Sequence, residues 1–313
     1  MKTRQGFLPH SPRLTRLVAG ASGVIYGKRA RTVRAFTEFF RVTFPAAVWD
    51  ARRFVAVSFL LTFVPAAAMG VWIANSDAAL DATAPAALRE AYINEDFESY
   101  YSSAPAGQFA TEVTVNNIQV SILAFAAGIA LCVGAAYILM FNGANVGVAA
   151  GLFAAAGQQP KFWGLILPHG LLELTAVVIA GAAGLRLGWA IIAPGDRRRA
   201  EALADAGRRA VVIVMGLVAA FITAGAIEGF VTGSTLPTAV RVGIGVAVEL
   251  AFVTYIVVQG RAAAAQGITG VLGEVPRGWE DEQGWDPPAG EVAAGAGSTG
   301  EGAQRRPVAF TAR

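Results

Sequence analysis

Residues 168–173 read Pro-His-Gly-Leu-Leu-Glu and lie within a stretch, 162–192, that is otherwise apolar enough to cross a bilayer. His169 and Glu173 are four residues apart, so they share one helix face, and this spacing can hold a metal ion. Two further ligands would be needed, but the apolar region has no other histidine and no His-Glu-x-x-His motif. We therefore predict no metal site. Pro168 frees the carbonyl group of Gly164, and we expect His169 to close the hydrogen bonds of a broken helix.

The other carboxylates of the apolar region can be placed by depth. At a rise of about 1.5 Å per residue, Glu173 and Glu249 lie near the midplane, and Glu228 lies near the external end of its span. An ionised residue at the centre of a membrane helix costs about 2.5–3.5 kcal/mol. Two carboxylates at one depth cannot both stay ionised without a cation between them. We expect His169, Glu173 and Glu249 to form one buried polar cluster, with Glu228 at its outer edge.

Motifs for catalysis are missing from the sequence. There is no Gly-x-Ser-x-Gly, and Ser58 and Ser121 are the only serines in the predicted spans. There is also no phosphate-binding P-loop and no dinucleotide fingerprint. Cys132 is the single cysteine, so an intrachain disulfide and a cysteine-based metal site are excluded. We predict no catalytic residue, no cofactor and no enzyme activity.

The composition predicts an all-α, polytopic membrane helix bundle. Hydrophobic residues make up 55% of the chain and charged residues 15%, and the charges fall in blocks between long apolar runs. One run, 144–157, has about two thirds of the ~20 residues that a perpendicular span needs, so it is either a short third span or a re-entrant segment. The six candidate spans are 54–75, 118–141, 144–157, 162–192, 210–232 and 239–259.

The distribution of basic residues predicts the orientation. The segment before Phe54 contains eleven Lys and Arg residues, whereas 76–117 contains only Arg89 against seven acids. The amino end should therefore be cytoplasmic and the acidic loop external. The loop 195–209 contains five arginines and should also be cytoplasmic, which requires four crossings before it and favours 144–157 as a true span. Both termini would then be cytoplasmic, in a bacterial inner membrane.

Glycines recur at every fourth position in two of the spans, which lets helix backbones approach closely. Gly184 and Gly188 form one such repeat, and a second lies in 143–151. We expect the third and fourth helices to form the tightly packed centre. Arg186 should lie toward the cytoplasmic side, at the level of two asparagines. The predicted inner-side polar and packing positions are Asn142, Gly143, Asn145, Gly147, Gly151 and Arg186.

Segments outside the spans complete the predicted organisation. Residues 1–53 form a basic cytoplasmic segment, in which 31–49 is an amphipathic helix facing anionic lipid. Residues 54–260 form the bundle, and 261–313 form a disordered cytoplasmic tail. In the external loop, 85–101 has a helical pattern with aromatics on one side and acids on the other. This is either an aromatic belt on the outer leaflet or a docking surface containing Tyr92, Phe97 and Tyr100.

Four motifs occur in order along the chain. They are Asn-Asn at 116–117, Phe-Asn-Gly-Ala-Asn-Val-Gly at 141–147, Leu-Pro-His-Gly-Leu-Leu-Glu-Leu at 167–174 and Ala-Gly-Ala-Ala-Gly-Leu-Arg-Leu-Gly at 180–188. In order and spacing, from about Phe36 to Gly260, the chain resembles the stage II sporulation protein M family. The resemblance implies a multi-helix inner-membrane protein that, in endospore formers, holds peptidoglycan-degrading partners at the membrane during engulfment and does no chemistry itself. The chain departs from relatives near Arg13 and after Gly267.

We therefore predict a membrane scaffold that recruits or positions cell-envelope proteins, including peptidoglycan hydrolases. Its other predicted partner is anionic lipid at the cytoplasmic face. No nucleic-acid partner is expected, and a homo-oligomer remains open. The alternative is a transporter or channel with a proton or ion path lined by His169, Glu173, Glu228 and Glu249. A membrane-embedded enzyme is a third hypothesis, but it lacks a nucleophile or a metal set.

Overall fold

The computed structural model describes residues 33–99, 105–272 and 274. The chain divides into two units, 1–274 and 275–313, and every described residue belongs to the first unit. Within that part of the chain every regular element is a helix, which confirms the predicted all-α fold.

We number the α-helices in chain order. They are α1 Phe44–Asp50, α2 Arg52–Ala74, α3 Asp77–Thr83, α4 Ala86–Ala91, α5 Phe97–Ser99, α6 Ala106–Ala127, α7 Val133–Ala155, α8 Gln159–Ile192, α9 Arg199–Ile227 and α10 Thr238–Ala265. Residues 33–38 are also helical. In the described ranges, π-helical turns occupy Phe39–Thr43, Tyr92–Asp96 and Glu228–Thr232, and the last of these extends α9.

The bundle contains six long helices, α2 and α6 to α10. Five of these described helices are long and apolar enough to cross a membrane; α6, which contains Glu112 and two asparagines, is not among them. Even so, α6 runs the depth of the bundle, because Ala106 in its first turn lies against Gly229 of α9 and Ala124 in its last turn lies against Gly184 of α8. We call the end that carries Arg52 the basic end and the end that carries α3 to α5 the acidic end.

The predicted second and third spans are wrong in their boundaries. The apolar run 118–141 is split between α6 and α7 by a turn at 128–132, where Leu131 and Cys132 have positive φ values of 54° and 70°. The segment 144–157 is therefore the second half of a 23-residue helix rather than a short or re-entrant span. Hydropathy could not reveal the break, because the turn itself is made of apolar residues.

Helix α8 is the centre of the bundle and contacts each of the other five long helices. Its close packing at Gly184 and Gly188 is against the end of α6 and the turn that follows. The glycine repeat of α7 packs against α2, not against α8 as expected. α2 and α7 run parallel in close contact, with Gly143 beside Thr62 and Gly147 beside Ala66.

The amphipathic pattern predicted that 31–49 lies on the cytoplasmic leaflet. In the structure, α1 packs into the bundle instead. In α1, Phe44, Ala47 and Val48 are each at most 3% exposed, and Phe44 packs against Gly216 of α9. The Tyr255 hydroxyl of α10 donates to the carbonyl oxygen of Phe40. Residues 33–37 are exposed, and 31–32 lie outside the described residues.

The bundle also extends beyond the predicted boundary at residue 260. α10 continues to Ala265, and the chain then turns back so that Ile268 is buried and Gly270 lies against Ala47 of α1. Glu274 accepts hydrogen bonds from the backbone N–H groups of Thr269 and Gly270. The predicted disordered tail beyond residue 274 lies outside the described residues.

Candidate functional site

Three ionisable side chains meet inside the bundle near its acidic end. His169 and Glu173 lie one turn apart on α8, and Glu228 begins the π-helical turn that extends α9. His169 Nε2 is 3.6 Å from Glu228 Oε1 and 3.9 Å from Glu173 Oε2. Side-chain exposure is 5% for His169, 4% for Glu228 and 16% for Glu173. We call these three residues, together with Thr232, the polar cluster.

The hydroxyl group of Thr232 sets the orientation of the His169 ring. Its Oγ1 atom is 3.2 Å from Nδ1 of His169 and 3.4 Å from the carbonyl oxygen of Ile227. A carbonyl oxygen can only accept, so when the hydroxyl donates to Ile227 it accepts from an Nδ1–H group, and in the other tautomer of His169 the hydroxyl donates to Nδ1. In either tautomer, Nε2 is the ring atom that faces the two carboxyl groups.

Local sequence explains how the polar cluster forms. The four-residue spacing on α8 places His169 and Glu173 on one face. The π-helical turn Glu228–Thr232 directs both of its end residues at that face, and such turns are frequent at functional sites. α8 continues through Pro168 without interruption, so the expected broken helix is not found. The ring nitrogens of His169 face Thr232 and the carboxyl groups instead of the carbonyl group of Gly164.

The charges of the polar cluster must be balanced within it. The Oε2 atom of Glu228 is buried and has no hydrogen-bond partner. A buried carboxylate without a partner costs several kcal/mol, on the order of the penalty for desolvating one ion. Two carboxylates beside one imidazole are stable only if a proton or a cation lies between them.

A pocket of about 370 Å³ opens at the acidic end and reaches the polar cluster at Thr232. Its charged residues already have partners: Lys161 Nζ is 2.9 Å from Glu98 Oε2, and Arg241 donates to the carbonyl oxygen of Thr232. Thr232 therefore both lines this pocket and contacts His169. The residues that line it include Glu98, Lys161, Thr232, Ser234, Thr238 and Arg241.

Glu249 does not belong to the polar cluster, and the predicted membership is wrong in this respect. Its Oε1 atom accepts a 2.7 Å hydrogen bond from Thr175 Oγ1. Thr175 is two residues after Glu173, so the two side chains leave α8 in different directions. Glu249 lines a groove of about 760 Å³ between α2, α7, α8 and α10, and its Oε2 atom is buried without a partner. The depth of Glu249 could be read from the sequence, but the direction of its side chain could not.

A second polar site lies at the basic end. Asp50 of α1 is 2.5 Å from Arg186 of α8 and 3.3 Å from Arg209 of α9. Arg209 also pairs with Asp205 at 3.2 Å. These contacts bind the short α1 helix to the two central helices.

The two asparagines expected near Arg186 do not contribute to this second site. Asn142 donates a 2.9 Å hydrogen bond to the carbonyl oxygen of Ile138 in its own helix, and Asn145 is exposed. Arg186 lies beyond them toward the basic end, because the neighbour of Leu139 on α8 is Gly181. Of the predicted inner-side polar residues, only Arg186 belongs to this site, and its partner is Asp50 rather than an asparagine.

The aromatic residues of the acidic end point inward. Tyr92 and Phe97 each pack on Phe153 of α7, and Phe97 also stacks on Phe162 of α8 at 5.6 Å. They attach this segment to the bundle, so they are not the exposed docking residues that the pattern predicted. Tyr100 lies outside the described residues. Burial raises the pKa of Tyr92.

The outward face of the same segment is acidic. We call residues 77–99 the acidic cap. Within it, Arg89 pairs with Asp81 at 3.0 Å, and Leu88 is 63% exposed. The exposed acids of the acidic cap are Asp77, Asp81, Glu90, Glu95, Asp96 and Glu98.

Sequence reasoning missed two residues of these sites. Thr232 gave no signal, because a threonine near a helix end is common and its contact with His169 is between helices. Asp50 did give a signal: it directly follows the amphipathic pattern, in which Glu38 is the only other acid among several arginines. A buried arginine such as Arg186 requires an acidic partner, and that requirement could have identified Asp50.

Comparison with known proteins agrees with this architecture. Residues 59–233 match the family described as Stage II sporulation protein M. A stretch of 76 residues is 36% identical to the uncharacterized protein MJ0793 of Methanocaldococcus jannaschii, and it covers 24% of this chain and 43% of that protein. No solved structure matches the chain. The family match includes the whole polar cluster and more than half of the sequence. The chain therefore belongs to the stage II sporulation protein M family.

Proposed function

We propose that this protein is a membrane scaffold that recruits or positions cell-envelope proteins and has no turnover of its own. The observation that carries the proposal is the acidic cap. It is held on the bundle by buried aromatics, and it presents six exposed acids. A fixed surface with one sign of charge is suited to binding a partner.

The charge of the acidic cap defines the partner's surface. Arg89 is the only basic residue in 77–99, and Asp81 already neutralises it. A basic patch on a partner would be attracted to this surface and oriented by it. Exposed Leu88 lies among the acids and offers an apolar contact of the kind found at interface centres. If the cap is external, the partner is an envelope protein.

The basic end would face the cytoplasmic leaflet in this proposal. Residues 197–199 are three consecutive exposed arginines, and such clusters attract anionic lipids at about 1 kcal/mol per residue. Partners that remodel peptidoglycan are the class that membership of the stage II sporulation protein M family suggests.

The experiment compares two charge-reversing double variants. In the first, Glu95→Lys and Asp96→Lys reverse the charge of the acidic cap; in the second, Asp196→Lys and Glu201→Lys make the same change at exposed positions of the basic end. Proteins that co-purify in mild detergent are quantified by mass spectrometry. We expect the cap variant to lose envelope partners, with a difference from the wild type that is largest at low salt and shrinks as salt screens the charges, while the control variant retains them.

Equal co-purification with both variants would contradict the scaffold proposal. The second candidate function, an ion or proton path, is favoured by one observation: the pocket at the acidic end reaches Thr232 beside the buried carboxyl groups. Purified protein in liposomes tests it directly. Proton or cation flux that depends on Glu173 would replace the scaffold with a transporter.

A further inference from the structure

We propose that His169, Glu173 and Glu228 bind one divalent transition-metal ion of the Zn²⁺ class. The ion would join the middle of α8 to the π-helical turn that extends α9. The sequence predicted no metal site, because only two ligands were visible in it. The fold supplies the third ligand, Glu228, from a different helix. This inference is independent of the proposed scaffold function.

The geometry of the three side chains fits such an ion. The candidate ligand atoms of His169, Glu173 and Glu228 all lie within 4.8 Å of one another. For bonds of 2.0–2.2 Å, neighbouring ligands of a tetrahedral ion are about 3.3–3.5 Å apart. The two separations from Nε2, 3.6 and 3.9 Å, need to shrink by a few tenths of an ångström, and the two carboxyl groups, within 4.8 Å of each other, would turn toward the ion.

The His169 ring is oriented as a ligand would be. Thr232 Oγ1 lies 3.2 Å from Nδ1, so Nε2 is directed at the centre of the site, and the Thr232 hydroxyl can accept the Nδ1–H hydrogen bond when Nε2 binds the ion. In protein metal sites a ligating histidine commonly donates its other N–H group to a neighbouring acceptor, which fixes the tautomer. Imidazole as a ligand favours Zn²⁺ and related ions over Mg²⁺ and Ca²⁺, which prefer oxygen ligands.

Charge balance and burial also favour an ion. Two carboxylates and one divalent cation sum to zero net charge with a neutral histidine, which is the state that costs least to bury between membrane helices. Glu228 is only 4% exposed, and its Oε2 atom has no hydrogen-bond partner, so a carboxylate oxygen remains available for a bidentate or bridging bond. The pocket at the acidic end is lined by Thr232, so it lies beside the polar cluster.

The test measures metal binding to the purified full chain in detergent. The protein is stripped with a chelator and titrated with Zn²⁺ in competition with a chromophoric chelator, and bound metal is counted by mass spectrometry after gel filtration. We expect about one Zn²⁺ per chain. Glu228→Gln keeps the shape of the side chain but removes the anionic ligand, so it should weaken binding at least about tenfold. Mn²⁺ titrated in parallel shows how selective the site is.

The matched control is Glu249→Gln, which neutralises another buried carboxylate outside the polar cluster. It should retain one Zn²⁺ with unchanged affinity. If Glu228→Gln does not give folded protein, Glu173→Gln removes a different ligand of the same site. Less than one Zn²⁺ per folded wild-type chain would overturn the proposal, because the carboxyl groups would then share a proton. Equal binding by the wild type and by a folded ligand variant would also overturn it.

Discussion

The behaviour of the polar cluster depends on one neutral residue. His169 and the two glutamates are costly to bury, and Thr232 gives the imidazole a single hydrogen-bonded orientation. Without that contact the ring could rotate, and its Nε2 atom would no longer face Glu228 and Glu173. Thr232 is thus a positioning residue for the group that separates the two carboxyl groups.

Removing the hydroxyl group of Thr232 should therefore destabilise the protein. Thr232→Val keeps the size of the side chain but removes the hydroxyl group that hydrogen-bonds Nδ1 of His169, at a cost of about 1–3 kcal/mol. Thr232→Ser retains the hydroxyl group and should cost less than half as much. Thermal unfolding in detergent, followed by tryptophan fluorescence, distinguishes the two variants. A loss in Thr232→Ser as large as that in Thr232→Val would contradict this account, because the hydroxyl group would then contribute no more than the methyl group does by packing.

The sequence revealed one side of this site and not the other. His169 and Glu173 are paired by their spacing along one helix, which depends only on helix geometry. The contribution of Glu228 depends on how α9 is rotated against α8, and a π-helical turn changes that rotation locally. For Glu249 the same uncertainty in rotation gave the wrong result, since its side chain binds Thr175. Depth was readable from the sequence, whereas direction around the helix axis was not.

At the scale of helices, the tightest contact is between α2 and α7. Lipid provides no hydrophobic drive for association, so membrane helices gain from close backbone packing at small residues. In α7 the glycines at 143, 147 and 151 remove the side chains that would hold α2 away. The two helices run parallel, and α6 makes this arrangement possible by returning the chain to the basic end before α7 begins.

A methyl group in this contact should weaken it. A Cβ atom at Gly147 would overlap the carbonyl oxygen of Ala66, so Gly147→Ala should cost about 1–3 kcal/mol as an overpacking substitution. Gly243 of α10 is the matched control, because a Cβ atom there meets nothing within 4 Å. Gly243→Ala should be neutral or stabilise by up to about 1 kcal/mol. Thermal unfolding in detergent measures both, and equal effects would contradict the packing account.

Glycine spacing predicted that α7 packs closely, but not which helix it packs against. A glycine repeat shows that one helix face lacks side chains, and any neighbouring helix with small residues can pack closely against that face. The turn at 128–132 was missed for a different reason. Gly128, Ile129, Ala130, Leu131 and Cys132 are apolar, so the chain reverses without the polar residues that usually mark a loop. Backbone conformation at Leu131 and Cys132, and not hydropathy, defines that boundary.

Over the whole molecule, charge is divided between the two ends. Exposed acids of the cap are at one end, and Arg52, Arg53 and the arginines of 197–199 are at the other. Four long helices precede the arginine-rich loop, so the loop and the start of α2 lie at the same end. This arrangement agrees with the even number of crossings that the basic residues required. Which end faces the cytoplasm remains a prediction from the positive-inside rule.

Cysteine labelling tests the orientation. In a Cys132→Ala background, single cysteines at exposed positions 95 and 200 are treated with an impermeant thiol reagent in intact cells. We expect labelling at 95 and none at 200, because the arginine-rich loop should be cytoplasmic. Permeabilised cells serve as the control, in which both positions should react. Labelling of residue 200 in intact cells would show that the bundle is inserted the other way.

The short helix α1 links the two ends of the described chain. Its Phe44 and Val48 are buried, and the groups that cover the helix include Gly260 of α10 and Gly270 beyond it. A ribosome makes α1 more than two hundred residues before it makes Gly270. The first part of the bundle to be synthesised thus receives its last neighbours only when the final helix has been inserted. The packing of this protein therefore cannot follow the order of synthesis strictly. α1 completes its contacts with Gly260 and Gly270 only when translation is nearly complete.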